Sequence, residues 1–285
     1  MNRLALLAMV ALFGAFGACS RCDSLTNAPA AVRLTSFDGG ARLAVRPSAG
    51  CGQAPPSVQH ATILADGAQR SYEISLPAHY DSSRAYPLVL MFHGSGGNGS
   101  SFHRLIAQGE ALADSMIAVY PDAVVRRVWA DNFAPHWGKT EDLPLFDALV
   151  ERMKSTLCVD EARVFAFGWS SGGYFANQLG CVRPSTVRAI VALSGGGPEN
   201  VQCEVPMTVF IHHDRDDGSV AFSTGQGSRD QWLHTNHCSG KASESDGCTI
   251  YAGCSASVVW CETSGNGHDV PRSARDAAWT FLSAL

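Results

Sequence analysis

A mostly parallel β-sheet flanked by helices is the fold class this sequence predicts, on three observations. Apolar runs at residues 87–92, 116–120, 163–167, 189–193 and 207–213 have the length and composition of strands buried on both faces. Helix-like stretches at 101–113, 143–157 and 229–234 alternate with them, as in a sheet whose crossovers pack on its two faces. The segment Gly168-Trp169-Ser170-Ser171-Gly172 separates the run at 163–167 from a helix-like stretch at 173–179, which makes a strand, a sharp turn and a helix with a serine at the apex.

At the amino end, Met1-Asn2-Arg3 and the apolar stretch that follows to residue 16 have a positive start and a core too short to span a bilayer. Residues 1–18 are therefore expected to be an export signal. Phe16-Gly17-Ala18-Cys19 resembles a bacterial lipobox, in which Cys19 would carry the lipid and hold the protein at an outer membrane or cell surface. Cleavage beside Ala18, leaving a soluble periplasmic or extracellular chain, is the competing reading. Residues 19–49, rich in Ala, Ser, Gly and Pro without a sustained period, are expected to be a flexible tether. The remaining stretch, 50–285, is long enough to bury one α/β core and is expected to be a single catalytic domain. The net charge of -5 and the lack of a basic patch argue against nucleic-acid binding.

Setting aside Cys19 and Cys22, eight cysteines remain: Cys51, Cys158, Cys181, Cys203, Cys238, Cys248, Cys254 and Cys261. An even set in an exported chain predicts disulfides, whose pairing sequence does not choose. No Cys-x-x-Cys pair occurs among the eight and export favours oxidation, which makes a metal site the weaker reading; no cofactor is expected.

The strand at 87–92 runs into His93-Gly94-Ser95-Gly96-Gly97-Asn98-Gly99, where glycines would let backbone N–H groups point at a substrate oxygen. No Gly-Lys-Ser/Thr follows, which excludes a phosphate cradle of the P-loop kind. The N–H of Ser95, with that of Ser171 just after the apex serine, is the expected pair of oxyanion donors.

A Gly-x-Ser-x-Gly arises by chance on the order of 0.3 times at these Gly and Ser frequencies, so its partners must carry the argument. A serine nucleophile needs a base and an orienting carboxylate, which in α/β-hydrolases follow in the order Ser, Asp or Glu, His. The strand at 207–213 runs into Asp214-Arg215-Asp216-Asp217-Gly218-Ser219-Val220, a loop where such an acid would stand. Asp217 is favoured, with Asp216 as the alternative; an EF-hand loop is excluded by the spacing after Asp214. His268 lies in the Gly-rich loop Ser264-Gly265-Asn266-Gly267-His268, between a strand-like run at 258–261 and a final helix at 273–285, and is the expected base.

From about Gly50 to Leu285 the chain resembles the secreted esterases grouped with polyhydroxybutyrate depolymerases and feruloyl or acetylxylan esterases. The resemblance rests on Gly50-Cys51-Gly52, the stretch 93–97, Val119-Tyr120-Pro121-Asp122, Cys158-Val159-Asp160, the stretch 168–173, Tyr251-Ala252-Gly253-Cys254, Val258-Val259-Trp260-Cys261-Glu262, and Gly267-His268 followed by Pro271. It implies an α/β-hydrolase fold, Ser170 as nucleophile and His268 as base. The family's acid segment reads His-Gly-x-x-Asp-x-x-Val; aligning His213 and Val220 selects Asp217, while the missing glycine at 214 and the doubled His212-His213 keep Asp216 open by a one-residue shift. Trp169, Trp137 and His93 are candidate substrate contacts, the tryptophans for stacking on a feruloyl ring or a sugar.

The implied partner is an ester, small or polysaccharide-linked, with membrane contact only through the lipid. Feruloyl or acetyl esters of plant polysaccharide come first because the wording at 251–262 and 50–52 resembles that branch most. Polyhydroxyalkanoate oligomers come second. A serine peptidase on the same fold and a noncatalytic surface binding protein are the readings from other classes.

Overall fold

Strands without a polar face need cover on both sides, and the computed structural model supplies it. It describes residue 34 and residues 43–56, 60–106, 115–129, 132–245 and 247–285. The export signal and lipid site expected at 1–18 and Cys19 lie outside the described residues. Six strands run parallel through the centre of the sheet in the spatial order β4 (Ile117–Pro121), β3 (Tyr86–Phe92), β7 (Val159–Trp169), β8 (Ala189–Leu193), β9 (Thr208–Asp214) and β12 (Val258–Thr263). Every residue of β3, β4, β8 and β9 is buried, as continuous apolar runs require.

Antiparallel strands finish both edges: β1 (His60–Ala65) and β2 (Ala68–Ser75) beside β4, and β10 (Ala242–Ser245) and β11 (Cys248–Tyr251) beside β12. A separate hairpin of β5 (Val125–Trp129) and β6 (Asn132–Pro135) stands apart from the main sheet. Residues from α2 (Leu143–Thr156), α3 (Ser171–Val182) and α4 (Phe222–Thr235) join the core on one face, and those from α1 (Gly99–Ile106) and α5 (Arg272–Ser283) the core on the other. The helix expected at 229–234 is thus the second half of a longer one, and that expected at 101–113 is described only to Ile106.

All eight remaining cysteines are paired: Cys51–Cys158, Cys181–Cys203, Cys238–Cys254 and Cys248–Cys261. Cys248 and Cys261 are register partners on β11 and β12, so that bridge locks the pairing of the two strands. Within the segment expected to be a tether, the described residues Arg46, Ser48 and Leu34 touch the folded part. Arg46 N–H donates to Asp160 at 2.9 Å, the Ser48 hydroxyl donates to the Leu157 carbonyl at 2.8 Å, and Leu34 is buried against the core.

Cross-linking stabilises in proportion to the logarithm of the loop closed. Replacing Cys51 and Cys158, 107 residues apart, with serine should lower the unfolding free energy by about 5 kcal/mol, and replacing Cys181 and Cys203, 22 apart, by about 3 kcal/mol. Urea titration of the two double variants checks both values and their order.

Candidate active site

The site forms at the carboxyl ends of β7, β9 and β12, where parallel strands release their loops on one edge. β7 ends at Trp169 and α3 begins at Ser171, so Ser170 makes the turn, with φ 55° and ψ -121°. The turn is this tight because strand and helix touch. A Cβ on Gly168 would lie 1.9 Å from the Gly172 carbonyl oxygen, and one on Gly172 would lie 2.0 Å from that of Phe92. The Ser170 N–H donates to the Leu193 carbonyl at 2.9 Å, which ties the turn to β8 as well.

The Ser170 hydroxyl stands 2.9 Å from Nε2 of His268, and Nδ1 of the same ring stands 2.8 Å from Oδ2 of Asp217. With Nδ1–H facing the carboxylate, Nε2 is left to accept the serine proton. The Asp217 side chain is 0% exposed, and its Oδ1 accepts the N–H groups of Ser219 and Val220 at 2.8 and 2.9 Å, which leaves Oδ2 to His268. On its far side His213 Nε2 donates to the Val220 carbonyl at 2.9 Å and lies 3.4 Å from Oδ2. Asp216 is turned elsewhere, accepting the Gly265 N–H at 2.7 Å, so of the two sequence candidates only Asp217 meets His268.

A second buried chain lies behind the first. His212 Nε2 donates to Thr263 Oγ1 at 3.0 Å, and Thr263 donates to Asp214 Oδ2 at 2.7 Å. That oxygen also accepts the Asn266 N–H and side-chain amide at 3.2 and 2.9 Å, which anchors the loop two residues before His268. Burial works to raise the Asp214 carboxyl, but the hydrogen bonds from Thr263, Asn266 and the Asp216 amide outweigh it and hold the group below the usual carboxylate range. Burial, with the neighbouring His213, pushes His212 down to about 3.

In the loop after β3 the Gly96 N–H donates to the Pro135 carbonyl at 2.9 Å and the Gly97 N–H to that of Gly94 at 3.1 Å. Ser95 lines the same cavity as Ser170 and Ser171, and its hydroxyl shares a hydrogen bond of 2.7 Å with His136 Nδ1. Burial and the nearby Arg126 lower the pKa of His136. The segment carrying His136 is held by Asp142, which is fully buried and accepts from Arg70 at 2.7 Å, Arg126 at 2.9 Å and the Gly138 N–H at 2.7 Å. Two guanidinium partners offset the desolvation of that carboxylate.

The cavity over Ser170 has a volume of about 640 Å³. Trp169 and Trp137 both line it. The Trp169 indole N–H donates to the His268 carbonyl at 3.1 Å, and Trp137 is buried, with 3% of its surface exposed, and stacked 5.5 Å from Phe175. His93 departs from expectation. It is 1% exposed beneath the loop, with Nδ1 donating to the Gly94 carbonyl at 2.7 Å and Nε2 accepting the Ala123 N–H at 3.1 Å, so it braces the loop and does not line the cavity. Sequence reasoning missed Tyr174, Phe175, His136, Lys139 and Glu199 among the lining residues. The position of Tyr174 and Phe175 just after the elbow was a usable signal; the pairing of Lys139 with Glu199 across 60 residues left none.

The fold and this hydrogen-bonded series define the class: an α/β-hydrolase with a serine, a histidine and an aspartate in line at the carboxyl edge of its sheet. Among solved structures the same fold is seen in the acetyl xylan esterase from Aspergillus awamori, at a TM-score of 0.57 and 15% identity over 75% of this chain and 94% of that one. A CE1 ferulic acid esterase from Anaeromyces mucronatus, solved in complex with ferulic acid, matches at 0.57 and 17% over 81% and 91%. No protein-family model matches the chain. In sequence it is 30% identical over 267 residues to a probable feruloyl esterase C of Aspergillus clavatus, covering 85% of this chain and 92% of that protein. Feruloyl esterase D of Neurospora crassa is 28% identical over 282 residues, covering 84% and 91%. The chain belongs to this feruloyl esterase family, and it is a carboxylesterase.

His212 stays neutral in the folded chain down to about pH 3, whereas the unfolded chain takes up its proton near 6.5. Its contribution to stability is therefore complete above pH 6.5 and lost as the pH falls toward 3, by up to about 1.4 kcal/mol per pH unit. Urea unfolding at pH 7, 5.5 and 4 should show a shallower decline for His212→Asn than for the native protein.

Proposed function

We propose that Ser170 is the nucleophile, His268 the general base and Asp217 the group that orients and stabilises its imidazolium. The observation that carries this is the unbroken hydrogen-bonded series of 2.9 and 2.8 Å from Ser170 through His268 to Asp217. His268 takes the hydroxyl proton as Ser170 attacks the ester carbonyl. The N–H groups of Ser95 and Ser171 receive the developing oxyanion, His268 returns the proton to the leaving alcohol, and water then hydrolyses the acyl-enzyme by the same path. The two loop amides on Asp217 Oδ1 hold its carboxylate against the imidazole.

The esters are those of hydroxycinnamic or acetic acid on plant cell-wall polysaccharide. The names of the sequence relatives and the aromatic lining of the cavity by Trp137, Trp169, Tyr174 and Phe175 support this over polyhydroxyalkanoates. The four disulfides support export, since such bonds persist in oxidising compartments. Residues 1–18 act as the signal in this reading, with Cys19 as the lipid site, and the catalytic domain follows.

Ser170→Ala should lower turnover of methyl ferulate or acetylated xylan by about 10^4-fold or more. Asp217→Asn should approach the same loss because it allows the wrong imidazole tautomer, while Asp216→Asn should stay within about tenfold of native. Steady-state kinetics of the three variants test the roles, and equal losses at 216 and 217 would reject the assignment of the acid. Release of ferulate or acetate from cell-wall material, compared with hydroxybutyrate from short oligomers, tests the substrate class.

A further inference from the structure

The four groups on the carbon of a tetrahedral intermediate divide the cavity between them. By the roles proposed above, one is Ser170 Oγ, the oxyanion belongs to Ser95 and Ser171, and the leaving oxygen must lie within reach of His268 Nε2, all of which line the cavity. The lining left for the acyl chain includes Phe175 and Tyr174 on α3. It also includes an ion pair between Lys139 and Glu199, which with His136 and Trp137 line both this cavity and an adjoining groove of about 320 Å³ and so stand between the two.

The helix gives the scale of this wall's separation from the reacting centre. The Glu199 N–H donates to the Gln178 side-chain oxygen at 3.3 Å, and Gln178 lies seven residues beyond Ser171, about 10 Å along α3 at 1.5 Å per residue. A hydroxycinnamoyl group measures about 8 Å from carbonyl carbon to phenol oxygen by ordinary covalent geometry. Aromatic flanks followed at that length by an acceptor and a donor match an acyl group that is flat, apolar along its body and carries a hydroxyl at its tip. An acetyl group would not reach.

We propose that Lys139 and Glu199 are specificity-determining residues that read the phenol hydroxyl of the acyl group: Glu199 accepts its hydrogen bond, and Lys139 donates to its oxygen. The inference rests on the feruloyl reading above and narrows it to para-hydroxylated cinnamoyl esters. A hydrogen bond to a charged, half-exposed group is worth about tenfold in kcat/KM.

The test compares methyl ferulate with methyl 3-methoxycinnamate, which lacks only the phenol hydroxyl, and reads the ratio of their kcat/KM values, a quantity unaffected by the fraction of folded enzyme. The native protein should favour ferulate by about tenfold. Glu199→Ala should bring the ratio to within about twofold of one, and Glu199→Gln, which keeps an acceptor oxygen, should restore part of it. Equal rates on both esters in the native protein, or an unchanged ratio in Glu199→Ala, would overturn the inference while leaving the feruloyl reading intact. A native protein that cleaves an acetate ester but neither cinnamate would overturn the feruloyl reading and this inference with it.

Discussion

With φ at 55° and ψ at -121°, the backbone of Ser170 sits where residues with a Cβ are rarely found, at a cost on the order of 1–3 kcal/mol. The surrounding fold over-determines that geometry. β7 is clamped between β3 and β8, the Ser170 N–H is held by Leu193, and α3 leaves the turn pressed against the end of β3 through Gly172. The same contact does a second job. Gly172 packs on the carbonyls of Phe92 and His93, so the loop bearing Ser95 and the first turn of α3 bearing Ser171 are placed relative to each other by the close approach that strains Ser170. Ser170 and the two amides proposed as oxyanion donors are thus placed by one steric condition, which any side chain at residue 172 would break.

The histidine arrives on a loop, and loops are mobile unless tied down. Here the ties are polar and buried. Asp214, at the end of β9, collects Thr263 at the end of β12 and Asn266 in the loop, and His212 closes the chain behind them. Trp169, adjacent to Ser170, holds the His268 carbonyl directly. The disulfide Cys248–Cys261 keeps β12 in register with its antiparallel neighbour, so its carboxyl end presents the loop at a constant height. Preorganisation of this kind lowers the reorganisation that catalysis would otherwise require.

The apex serine and the strand-turn-helix around it were legible in the sequence because the physics is local: an apolar run, two small residues at the points of contact and a helix. The parallel sheet was legible for the same reason, since strands buried on both faces read as continuous apolar runs. The edges were not. β10 and β11 are only four residues long and largely polar, β1 is six residues with an exposed leucine on its outer side, and each is defined by hairpin pairing with the next strand in the chain rather than by a long apolar run. Whether Asp217 or Asp216 faces His268 depends on one residue of register in a loop, which sequence does not reveal; in the structure it is Asp217. His93 was misplaced because its motif neighbours the cavity in sequence while its ring points under the loop. Lys139 meets Glu199 only because the segment fixed by Asp142 and the loop after β8 converge over α3.

The most direct test of the account is a crystal structure of the protein inactivated by a dialkyl phosphonate. The account predicts a single adduct on Ser170 Oγ, with the phosphoryl oxygen 2.7–3.1 Å from the N–H groups of both Ser95 and Ser171. A phosphonate on any other residue, or one on Ser170 whose oxygen points away from those two amides, would contradict it.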